Sequence, residues 1–424
     1  MDGLKDESLD AVNNHLKNLK YYMILITIIG MLVITDLSYS ILSLVILEKR
    51  IYIFLAIIIF YLIIILLFNQ NIVLDIIFVT LFLRVPFYLI HPIFFNSFNE
   101  SFLSNYIIVI IPIIVYQLIV GIGVNKNKLI KSIVAISISI MFIQTSYVFL
   151  NSVLNAVPDY LFKSTLVIPL GASNYIAAIF IILGLMSMAI MKTKFFALLS
   201  LVGIFLTLSN SGIITSVVVI IILFIRNFKK IKTKYLLLIF LSSIFVVLSL
   251  IFAFNYFFDN NYLITVFDRY INLINGAIDL LNGRQSPSAD ITNGRIQIYE
   301  DTFNLFLEKP LFGWGIGIVE NLTSKVHNWL LQSLINGGLV GTVIYFLPLG
   351  IASVKLFYSK HNKLAFYMLL VIFASLFQGM VEPNYFTPTV EFYLWLFIGY
   401  TLTISHNENK YWSDNKDDYN MSNS

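Results

Sequence analysis

Residues 51–68 read IYIFLAIIIFYLIIILLF, eighteen positions without a charge. An apolar run of that length is enough to cross ~30 Å of hydrocarbon as a helix. Comparable runs recur at about 21–36, 72–90, 105–123, 129–150, 175–191, 195–209, 211–226, 235–254, 329–354, 364–381 and 390–404. No soluble fold hides so many of them. Only 12% of the 424 residues are charged, roughly half the ~25% share of an ordinary soluble domain. The pattern predicts an all-α, polytopic transmembrane helix bundle of about 12 spans. It excludes a water-soluble globular protein, a disordered chain and a nucleic-acid-binding module.

Orientation follows from lysine and arginine. With the N-terminus inside, 18 of the 27 basic residues fall in cytoplasmic segments. The densest cluster, RNFKKIKTK at 226–234, anchors the scheme. Lys49 and Arg50 fall outside and fit it least well. The chain then divides into a cytoplasmic N-terminal segment (1–20), a bundle of about nine spans (21–254), a large partly helical extracytoplasmic loop (255–326), about three further spans (327–404) and a cytoplasmic tail (405–424). The polar start has no small-residue cleavage site after its first apolar run, so it reads as uncleaved.

The large loop carries two helical patterns. Apolar residues at 263, 267, 270, 271, 274, 278 and 281 form one stripe. The second pattern runs from Arg295 to about Lys309, with Ile296, Tyr299, Phe303 and Phe306 on one face. Pro310 and the glycines at 313, 315 and 317 end it.

The absence of cysteine removes thiolate chemistry, iron–sulfur clusters and disulfides. Five histidines are present, none at i, i+4 spacing, so no protein-bound metal is expected. The topology leaves His91 and His327 on the outer side. His327 precedes Asn328 at the start of a membrane helix, where an imidazole near water serves as a general base at neutral pH. The plain alternative is a polar helix cap. Arg295 opens the second loop helix, and a guanidinium fork matches phosphate oxygens. Arg269 and Arg284 in the same loop read more simply as solvated. Arg84 lies inside the apolar stretch IIFVTLFLRVPFYLIHPIFF. An arginine there costs at least ~2.5–3.5 kcal/mol, so it is expected to face the bundle interior and a partner; snorkelling is the alternative. His91 reads as interfacial. Glu382 and Glu391 are acids at outer helix ends. The GWGIG run lacks the strand–helix context of a nucleotide loop and reads as a turn that lets backbone approach closely.

The ordered set NGRIQIYEDTFNLFLEKPLFGWGIG…VHNWLLQSLINGGLVG resembles the O-antigen ligase/polymerase family of bacterial envelope polysaccharide proteins. The likeness rests on Gly294, Arg295, Pro310, Gly313, Gly315, Gly317, His327, Asn328, Gly338 and Gly341. Gly171, Asn174 and Ala177 echo the start of a middle helix of that family, and Glu382 the acid before its last span. One departure stands out. Where the family commonly has Thr-x-Ser-Arg, this chain has Thr207–Leu208–Ser209–Asn210, without the arginine.

The resemblance implies metal- and cofactor-independent glycosyl transfer on the outer face of the bacterial plasma membrane, with undecaprenyl-diphosphate-linked oligosaccharide as donor and acceptor. His327 and Glu382 take the catalytic roles. Arg295 and Arg84 bind the diphosphate. Gly294, Gly313, Gly315, Gly317 and Asn328 shape the backbone. Partners expected on this reading are the lipid bilayer, a chain-length regulator and a flippase, and no nucleic acid. Polymerisation of repeat units is the first expectation. Ligation of finished glycan to lipid A-core or another acceptor is the second. A flippase for the same lipid-linked sugars is the alternative from another class.

Overall fold

The computed structural model describes residues 74–95, 102–121, 126–154, 173–227, 295–316, 326–360, 362–381 and 387–421. The first 20 residues, the runs at 21–36, 51–68 and 235–254, and the loop stripe at 263–281 lie outside the described residues, as do Lys49, Arg50, Arg269 and Arg284. Among the described residues every regular element is a helix: α1 (Ile76–Phe82), α2 (Arg84–Phe95), α3 (Phe102–Gly121), α4 (Lys126–Leu154), α5 (Ser173–Ile190), α6 (Phe195–Leu206), α7 (Asn210–Asn227), α8 (Arg295–Glu308), α9 (Trp329–Tyr358), α10 (Lys363–Gly379) and α11 (Pro388–Met421). Lys126–Asn151, Ser173–Ile190 and Trp329–Tyr358 are long and apolar enough to cross a membrane. Five shorter apolar helices accompany them.

The ends of these helices follow local chemistry. Asp75 accepts a hydrogen bond from Phe78 N at 2.8 Å and caps α1. Asn362 caps α10 through Leu364 N at 2.8 Å. Each side chain satisfies an amide that the first helical turn leaves open. The described part of the run at 72–90 divides into α1 and the start of α2, with Leu83 between them. The runs at 195–209 and 211–226 meet through Leu208, whose φ of 51° lies in the left-handed region. Thr207 there donates its hydroxyl to Ile204 O at 2.7 Å. Helix α11 continues to Met421, past the end of its apolar run.

The core runs through α5 and α11, where residues 176–187 and 390–400 are buried without a break. Trp395 stands edge-on to Tyr116 of α3 with ring centres 6.2 Å apart. Tyr393 donates to Ser137 of α4 at 2.8 Å, and Tyr400 to Asn127 at 2.6 Å. The outward faces are apolar too. On α4, Ile136, Ile140, Ile143, Tyr147 and Leu150 are exposed in one stripe; on α7, Ile214, Val217, Ile220, Ile221 and Ile225 are exposed. A protein in water does not present such bands, whereas lipid solvates them.

The bundle has chemically distinct ends. Lys192 and Lys194 lie between α5 and α6, Lys360 lies between α9 and α10, and Lys363 opens α10. Arg226, in the last turn of α7, stacks 3.3 Å over the Phe366 ring near the start of α10. All of these are at the end opposite to His327.

Candidate functional site

Three elements meet at the His327 end. Helix α9 starts at Trp329, and its cap is Asn328 rather than His327. The Asn328 carbonyl oxygen of the side chain accepts from Leu330 N at 2.9 Å and Leu331 N at 3.1 Å. Its amide donates to Met380 O, just past α10, at 3.2 Å. Trp329 donates to Leu376 O at 3.0 Å, tying the same two helices. His327 stands one residue ahead of the cap and is half-buried. Its carbonyl accepts from the Tyr299 hydroxyl of α8 at 2.9 Å, and the same hydroxyl lies 3.3 Å from Met380 O. Tyr299 thus joins the loop helix to both membrane helices at the residue expected to act as base.

The buried face of α8 differs from the expected one. Thr302 and Phe306 are buried, while Phe303 is 46% exposed. Phe306 packs with Val326 and Ile335, together with Leu305, Trp314 and Leu331. A 3.6-residue period permits either face, and the partner on α9 selects 299, 302 and 306.

The glycine run has a structural task. Helix α9 is broken at Gly338, where φ is 61° and ψ −162°. The segment Pro310–Gly315 fills the break. Trp314 N donates to Ile335 O at 2.7 Å and Gly315 N to Asn336 O at 2.9 Å. In return Leu339 N donates to Pro310 O at 2.8 Å and Val340 N to Leu311 O at 3.1 Å. Four backbone groups that a helix break would strand are satisfied by the loop. A Cβ on Gly313 would sit 2.4 Å from Ile335 O, and one on Gly338 2.3 Å from Leu311 C. Both residues, and Gly315, have positive φ. Trp314 also donates to Leu305 O of α8 at 2.8 Å, and Lys309 Nζ lies 3.8 Å over its ring. Helix α8, the loop and the broken α9 therefore form one hydrogen-bonded unit.

A second polar cluster adjoins the first. Gln378, two residues before Met380, donates to Asn174 O at the start of α5 at 2.9 Å. Ser209, which caps α7 through Gly212 N at 3.1 Å, donates its hydroxyl to Asn174 Oδ1 at 2.6 Å. In the Thr207–Gly212 turn the hydroxyls of Thr207, Ser209 and Ser211 are buried and bonded within the bundle.

The expected site residues are placed as follows. His327 and Asn328 stand at the junction of α8, α9 and α10. Arg295 is the first residue of α8, one turn ahead of Tyr299. Gly313 and Gly315 line the break in α9. Gly294, Gly317 and Glu382 lie outside the described residues; Glu382 follows two residues after Met380. Arg84, expected at a diphosphate, is 1% exposed in the bundle interior. It lies 3.5 Å from the Glu391 carboxylate and donates to Tyr345 O. Glu391 also accepts from Tyr345 at 2.9 Å and from Trp395 at 2.7 Å. The Arg84 guanidinium stacks 4.1 Å over the Tyr345 ring. Tyr299, Gln378 and Glu391 carry roles that the sequence did not assign to them.

Residues 195–346 match the family model described as O-Antigen ligase. No curated protein matches the chain. The matched segment contains α6, α7, α8, the glycine loop, His327 and the break in α9, so the comparison supports the O-antigen ligase/polymerase family on the same residues that build this junction.

Proposed function

We propose that this chain is a membrane glycosyltransferase that polymerises lipid-linked oligosaccharide repeat units for O-antigen or capsular polysaccharide at the outer face of the bacterial plasma membrane. The observation that carries the reading is the junction of α8, α9 and α10, where Tyr299 and Asn328 fix the backbone around a half-exposed His327. The basic residues at the opposite end favour placing this junction on the outer side.

In the proposed reaction an acceptor sugar hydroxyl attacks the anomeric carbon of the donor. A new C–O bond forms, and the bond to the diphosphate breaks with its electron pair leaving on the phosphate oxygen. The imidazole of His327 takes the hydroxyl proton. Arg295 at the start of α8 offers charge to the departing lipid diphosphate, and Glu382 orients the base or a sugar hydroxyl. A single displacement inverts the anomeric centre without a covalent intermediate. Arg84 is given a frame-holding role here, because Glu391 already meets its charge in the interior.

The description of the matched family favours ligation of finished glycan as a second reading. A deletion strain separates the two. Loss of a polymerase leaves single repeats on the final acceptor. Loss of a ligase leaves long polymer on the lipid carrier and none on the acceptor. Repeat units trapped facing the cytoplasm would contradict both and indicate a flippase.

A further inference from the structure

Helix α2 lies along the break in α9. Positions 84, 88 and 91 recur at i, i+4 and i+7, so they share one helix face. Each meets a main-chain carbonyl of the broken helix or its loop. Arg84 donates to Tyr345 O. The Tyr88 hydroxyl stands 3.5 Å from Gly341 O, at the outer limit of a hydrogen bond. His91 Nε2 is 2.6 Å from Phe312 O. A carbonyl only accepts, so Nε2 is the protonated nitrogen. The glycines of α9 let α2 approach: a Cβ on Gly341 would fall 2.7 Å from the Phe87 ring, and one on Gly337 3.1 Å from the Tyr88 oxygen.

His91 contacts the part of the loop that packing holds least. Leu311 and Phe312 are 57% and 43% exposed. The turn they form is retained by hydrogen bonds: Leu311 O takes Val340 N, and Phe312 O takes His91. Pro310 directly follows Glu308 and Lys309 at the end of α8, and Trp314 is bonded back to Leu305. The turn thus continues directly from α8, which carries Arg295 and the Tyr299 bond to His327 O, so loosening it loosens the C-terminal anchor of α8.

We propose that His91 is a positioning residue for the transfer reaction, its Nε2–H holding the Pro310–Gly315 loop in the break of α9. The inference rests on the transferase reading above for its consequence in activity, and on geometry alone for its hold on the loop.

Two substitutions of similar length test it in the full chain reconstituted in vesicles. His91→Gln keeps a side-chain donor, and His91→Met removes it. The chain has no cysteine, so a single Ile335→Cys, buried beneath Trp314, reports loop opening by its rate of maleimide labelling. His91→Met is expected to speed labelling several-fold and to lower kcat by about tenfold or more, with donor KM nearly unchanged. His91→Gln is expected to restore both. Labelling at the unsubstituted rate in His91→Met, or equal impairment in His91→Gln, would overturn the proposal. Faster labelling in His91→Met in a chain that transfers no glycan even with His91 intact would overturn the transferase reading and leave the hold on the loop standing.

Discussion

Arg84 shows what a single charge does to a bundle this apolar. Its partner Glu391 sits 0% exposed and accepts from both Tyr345 and Trp395. Removing one member of such a pair strands the other; removing both does not. Glu391→Ala is expected to destabilise the purified chain by about 3–5 kcal/mol, read as a loss of thermal stability in detergent. The Arg84→Met, Glu391→Leu double variant is expected to lose less than Glu391→Ala, because no charge is stranded and only the Tyr345 and Trp395 donors lose their acceptor. Sequence foretold that an intramembrane arginine needs a partner, because the cost of burial is general. It did not say which acid, because residues 84 and 391 are far apart in the chain and nothing local links them. The same limit applied to His327. Its place at a helix start was legible, but the identity of the cap as Asn328 and the bond from Tyr299 depend on how α8 lies against α9.

At the scale of elements, the break in α9 accounts for most of the glycine pattern. Apolar periodicity located the helices, since burial in lipid or core demands it. The glycine run announced a turn, because three closely spaced glycines do not continue a helix. What they were for was not legible: the reciprocal ladder joins 310–315 to 335–340, and neither segment reveals its partner. Gly313→Ala and Gly338→Ala each force a Cβ into backbone from a positive φ. Each is expected to destabilise the fold by at least about 1–3 kcal/mol. Gly350→Ala, in the same helix with nothing within 4 Å of the added carbon, is expected to be neutral or to stabilise by up to about 1 kcal/mol. Thermal melts of the three variants side by side check this. Equal effects at 338 and 350 would contradict the ladder.

For the whole molecule, the two ends of the bundle divide the work. Among the described residues Lys192, Lys194, Arg226, Lys360 and Lys363 gather at one end, and the other carries a half-exposed histidine, an arginine-led helix and a hydroxyl- and amide-rich turn at 207–212. Composition indicated a membrane, and charge placement suggested which end faces outward. Neither specifies the sugars, because the groups at 174, 209 and 378 bond to one another and show no single ligand shape. The central claim is that this end transfers glycan from a lipid diphosphate with His327 as base. The most direct measurement reconstitutes the full chain in vesicles with polyprenyl-diphosphate-linked oligosaccharide and follows glycan length together with release of lipid diphosphate. The unsubstituted chain is expected to transfer glycan. In His327→Ala the rate should fall by about 10²-fold or more, with unchanged protein level and melting temperature. Undiminished transfer by the Arg295→Ala, His327→Ala double variant would contradict it.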